Sequence, residues 1–68
     1  MNLKAIVRPI GENTTRIHLF VLMDATYVDI GTLHVPNDIA EKAIATLEGL
    51  NATITKAGGD QLPLNNED

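Results

Sequence analysis

The sequence has no cysteine, no serine and no tryptophan, and only one phenylalanine and one tyrosine. Without cysteine there can be no disulfide and no thiolate metal site. Without serine there is no serine nucleophile. Phe20 and Tyr27 are too few for the interleaved aromatics of a nucleic-acid stacking platform, and the RRM-type signature is missing. No apolar run approaches the length needed to span a bilayer. Positive charge is also scarce, with five Lys and Arg against nine Asp and Glu, a net charge of -4. That balance disfavours a simple nucleic-acid binder. It is too mild and scattered for a DNA mimic, since part of the excess sits late in the chain, at Asp60, Glu67 and Asp68. The opening stretch, "MNLKAIVRPIG", lacks the apolar h-region of a signal peptide, so the expected location is cytoplasmic.

What is present is one domain's worth of chain, 68 residues, 44% of them hydrophobic. Area scaling gives roughly 95 kcal/mol of apolar burial for this length. Ordering the chain costs roughly 100 kcal/mol. Domains this close to balance gain stability from disulfides, metals or self-association. With no cysteine, self-association is the route the sequence leaves open.

Alternation and turn residues organise the first half. Strands are expected over Leu3 to about Ile10, Arg16–Met23 and Tyr27–Val35, separated by "GENTT" and "DAT". Pro9 suits an edge strand or a strand end, and Gly31 either weakens the third strand or marks a bulge. The period then changes. "PNDIAEKAIATLEGL" is helical, with Pro36 at its start and a cap from Asn37 or from Asp38 with Glu41. Its apolar stripe is Ala40, Ala43, Ile44, Leu47 and Leu50, and Gly49 or Asn51 can end it in the left-handed conformation. A short fourth strand follows at Ala52–Lys56. The expected fold class is α+β: a small antiparallel meander, a helix on one face and a fourth strand (β-β-β-α-β). Residues 1–60 form a single compact domain in this reading, and 61–68 a flexible acidic tail.

"RIHLFVLMD" poses the functional question, because this strand is apolar on both faces. Setting Ile10 opposite Arg16 across "GENTT" pairs Val7 with Leu19, Ala5 with Val21 and Leu3 with Met23. One face then carries Leu3, Ala5, Val7, Ile17, Leu19, Val21 and Met23, and the helix should cover it. The other pairs Ile6 with Phe20, Lys4 with Leu22 and Arg8 with His18. The third strand adds Val28, Ile30, Thr32 and His34 to this face if its turn has an odd number of residues. A change of one residue in that turn substitutes Tyr27, Asp29, Gly31 and Leu33. An apolar centre with a basic rim is the anatomy of a protein interface. The candidate partner or dimer interface is therefore Ile6, Phe20, Leu22, Ile30, Arg8, Arg16 and His18. A second copy of the chain is the first choice of occupant. The competing reading is that the chain's own Leu62 and Leu64 fold back over the face.

Catalytic chemistry has little support. His18 and His34 lie opposite each other in one register, but no HxH or HExxH spacing accompanies them. Asp24 and Asp29 flank a turn, and "AGGD" opens no helix. No metal, cofactor or enzymatic activity is expected, and no membrane association. The expected function is a small protein-binding module, a homodimeric accessory or inhibitor protein acting by occupying a partner's surface. In size and lack of motifs it resembles the proteins of phages and mobile elements, anti-defence inhibitors such as anti-CRISPRs included. The alternative is a basic-rimmed sheet that binds a small ligand, a nucleotide or single-stranded nucleic acid.

Overall fold

The computed structural model describes residues 2–57. The expected tail at 61–68, with Leu62 and Leu64, lies outside them. Strands β1 (Leu3–Pro9), β2 (Thr14–Met23) and β3 (Thr26–Pro36) form an antiparallel meander. Helix α1 (Asn37–Gly49) follows, and β4 (Thr53–Lys56) completes the sheet in parallel beside β1. The order is β3-β2-β1-β4, so the fold is the expected β-β-β-α-β. Because β3 and β4 run parallel at opposite edges, α1 must cross the sheet obliquely between them.

The β1–β2 register is displaced by two residues from the expected one: Leu3 faces Val21, Ala5 faces Leu19, Val7 faces Ile17 and Arg8 faces Arg16. Thr14 and Thr15 belong to β2 rather than to the loop. The Ile10 N–H donates to the Thr14 carbonyl at 2.9 Å, and Gly11 turns the chain with φ 85°. Only glycine adopts that conformation without strain. Thr15 is buried, and its hydroxyl is satisfied by donating to Asn37 Oδ1 at 2.7 Å. Asn37 in turn donates its side-chain amide to the Glu12 carbonyl (3.1 Å) and its backbone N–H to the Asn13 carbonyl (2.9 Å). One asparagine thus ties the β1–β2 loop to the start of the helix. It is therefore not the helix cap. Pro36 takes that position, with no side-chain cap, and Asp38 accepts from the Ile39 N–H. At the other end Asn51 is left-handed, φ 66°, as one of the two expected terminators. Its N–H donates to Glu48 O and that of Ala52 to Leu47 O, a Schellman pattern.

The core is small. Ala5, Val7, Ile17 and Ala40 are buried, with Leu19, Val35, Ala43, Ile44, Leu47 and Ile54 packed around them. Leu50, expected in the helix stripe, is 50% exposed, as is 45% of Ile39 at the opposite end. The expectation that α1 would cover the whole face from Leu3 to Met23 also fails, for a reason of length. Thirteen helical residues span about 20 Å, whereas the ten residues of β2 span about 33 Å. The corner near the β2–β3 turn stays open, with Met23 56% and Val28 41% exposed, and Leu33, on the edge strand opposite the buried Ile17, is 46% exposed.

Candidate interaction surface

Among the described residues the opposite side of the sheet carries no helix, and pairing parity puts the side chains there. A displacement of two residues leaves each side chain on its face, because the period is two. Ile6, Arg8, Arg16, His18, Phe20 and Leu22 therefore share one face, as expected, although their partners differ. Lys4 faces Phe20, Ile6 faces His18, and Arg8 faces Arg16. Ile6, Phe20 and Leu22 are half-buried, and Arg8 is exposed.

The third strand follows both expected registers in turn. Its loop has two residues, Asp24 and Ala25, with φ 51° and 66°, the signature of a type I′ hairpin. Leu22 then pairs with Tyr27, and Phe20 with Asp29. A bulge at Ile30 intervenes, after which Leu19 pairs with Gly31, His18 with Thr32 and Arg16 with His34. So Tyr27, Asp29, Thr32 and His34 all join the helix-free face. Ile30, the extra residue, belongs to neither alternation and is 52% exposed. His18 and His34 do not face each other: they sit two pairs apart along the strands, in adjacent rows of this face.

The partner of His18 is Asp29. His18 Nε2, when protonated, donates to Asp29 Oδ2 at 2.8 Å. The other carboxylate oxygen, Oδ1, accepts the Gly31 N–H at 2.9 Å, across the bulge. These two hydrogen bonds, the histidine's first, hold the Asp29 carboxyl below its usual range. Gly31 sits at φ 141°, a conformation that disfavours side chains. The bulge is therefore pinned by Asp29 and made possible by Gly31. Next to it, the His18 and Phe20 rings lie 4.3 Å apart, tilted by 32°. Lys4 reaches across β2 to place its Nζ 5.0 Å from the Tyr27 ring centroid.

The face therefore consists of successive rows of residues in register. One row is Arg8, Arg16 and His34. The next is Thr55, Ile6, His18 and Thr32, followed by Thr53, Lys4, Phe20 and Asp29, and then Leu22 and Tyr27. Charge is unevenly divided between the two sides. The helix carries Asp38, Glu41 and Glu48 with Lys42, while the bare face carries Lys4, Arg8, Arg16 and, among the described residues, a single carboxylate, Asp29. Sequence reasoning placed Tyr27 and Asp29 here only in the alternative register. Recognising "DA" as a complete two-residue turn would have selected them. No helix in the described residues is long and apolar enough to cross a membrane. No family model, curated protein or solved structure matches the chain.

Proposed function

We propose that this chain is a non-enzymatic protein-binding module, an accessory or inhibitor protein that acts by covering a partner's surface with the helix-free face of its sheet. The observation that carries this reading is the row structure of that face: an apolar strip of Ile6, Phe20, Leu22 and Tyr27 running to the β2–β3 turn, Lys4 beside it, Arg8 and Arg16 at its other end, and no element of the described chain laid over them. Half-buried apolar centres ringed by polar groups suit protein partners. Single-stranded nucleic acid is the weaker reading because the rings are already engaged, Phe20 with His18 and Tyr27 with Lys4. A stacking platform presents open rings to bases.

The module works as a homodimer in this reading, joined edge to edge through β3. The two sheet edges differ sharply. β4 has four residues, three of them Thr53, Thr55 and Lys56, a short polar edge. β3 has eleven, exposed throughout except at Val35, with Tyr27, Val28, Ile30 and Leu33 among them. A long apolar edge is a template for strand pairing. Pairing there leaves the helix-free face of each copy open to its target.

The test is site-specific photocrosslinking in cells, with the crosslinker at Leu22 on the bare face or at Glu48 on the helix. Protein adducts from Leu22 alone are expected, and light scattering should show a dimer at micromolar concentration. Adducts that nuclease removes, or equal adducts from both positions, would overturn the proposed binding mode. A monomer at all concentrations would overturn the dimer.

A further inference from the structure

Arg8 and Arg16 stand directly opposite each other on adjacent strands, and His34 stands opposite Arg16 on the third. Directly opposed side chains on an antiparallel pair have Cβ atoms about 5 Å apart, and like charges so placed are destabilising. Among the described residues no carboxylate forms an ion pair with either arginine, Glu12 on the adjacent loop included. Among the described residues, six acidic side chains leave the densest cationic row uncompensated. Locally unfavourable arrangements of this kind mark functional positions.

We infer that this row binds carboxylates: it is the docking site for an acidic segment of a partner protein, with an apolar residue of that segment lying over Ile6 and Phe20 in the adjoining rows. The inference rests on the protein-binding reading above and adds the partner's chemistry. Guanidinium groups form bidentate, charge-assisted hydrogen bonds with carboxylates. Arg16 is half-buried and Arg8 exposed. A second copy stacked face to face does not satisfy the row. Among the described residues its bare face offers one carboxylate, Asp29, already shared between His18 and the Gly31 N–H. A long nucleic-acid backbone fits less well, because the cations form a row across the strands rather than a track, on a chain of net charge -4.

The experiment measures fluorescence anisotropy and thermal melting with a labelled peptide of alternating glutamate and leucine. A glutamine-for-glutamate peptide and an oligodeoxythymidylate serve as controls. The wild type should bind the glutamate peptide and be stabilised by it. Arg16→Gln should bind it about 10-fold more weakly or worse. The same variant, without peptide, should melt no lower than wild type, because the like-charge opposition is relieved. Phe20→Leu should weaken binding while leaving the salt dependence intact.

A lower melting temperature for unliganded Arg16→Gln would make the arginine structural and overturn the proposal. Equal affinity for the glutamine peptide, or preference for the oligonucleotide, would also overturn it. So would tighter peptide binding on changing Asp60, Glu67 and Asp68 to amides, which would assign the row to the chain's own C-terminal segment. If Leu22 crosslinks proteins while the glutamate peptide fails to bind, the protein-binding reading stands and the acidic-segment assignment falls. If neither occurs, both fall.

Discussion

The strip of sheet beneath the helix and the corner beside the Asp24-Ala25 turn are made of the same strands and similar residues, yet only one is a core. Under α1, Ala5, Ile17 and Ala40 are sealed to 2% exposure or less. At the corner, Met23 and Val28 are 56% and 41% exposed although they continue the same face of β2 and β3. The difference is geometric, not chemical. An oblique helix of thirteen residues cannot shade a ten-residue strand along its whole length. On the proposed function, the apolar residues beyond the helix's shadow, together with those on its far side, would be the material for contacts with other molecules.

Paired substitutions probe that contrast most sharply. Ile17→Ala should cost about 2–5 kcal/mol and unfold a marginal domain, whereas Met23→Ala should cost about 0.5 kcal/mol or less in the monomer. Urea melts of both decide it: similar midpoints would mean that the corner is as packed as the core. Next in size is the joint between loop and helix. Asn37→Ala leaves the buried Thr15 hydroxyl without its acceptor and should cost about 1–2 kcal/mol. Adding Thr15→Val should recover part of that loss. An unchanged Asn37→Ala melt would remove the clamp from the account. The smallest test uses one kind of substitution at both ends. Ala25→Gly relieves a left-handed alanine at φ 66° and should stabilise by about 0.5–1 kcal/mol. Ala43→Gly, within the helix, should destabilise by about 1 kcal/mol. Shifts of the same sign in chemical denaturation would contradict the turn assignment.

Much of this was readable in the sequence because period survives errors of register. Parity assigned Ile6, Arg8, Arg16, His18, Phe20 and Leu22 to one face even though each was paired with the wrong neighbour, since the error was two residues. The register itself was hidden in Thr14 and Thr15, which look like turn formers but lie in β2, Thr15 held there by Asn37, a contact 22 residues away. The bulge was signalled by Gly31, but glycine alone does not say whether a strand weakens or changes frame. The Asp29 carboxylate, bonding at once to His18 and to the Gly31 N–H, supplies the rest. The helix stripe was drawn one turn too far, at Leu50, because periodicity does not measure how far the underlying sheet extends. The acidic-segment reading needed Arg8, Arg16 and His34 in a single row, which neither expected register contained.

The position of β4 has a consequence for how the chain reaches its native state. Its neighbour is β1, so Lys4 must find Thr53 across almost the whole described chain. Pairings this distant in sequence are slow to form. On a ribosome, the β1–β2–β3 meander would emerge complete while the seam reserved for β4 stood vacant beside β1. For that interval the nascent sheet has an adhesive margin on each side, and the speed with which α1 swings across decides how long it is vulnerable to its neighbours on the same message.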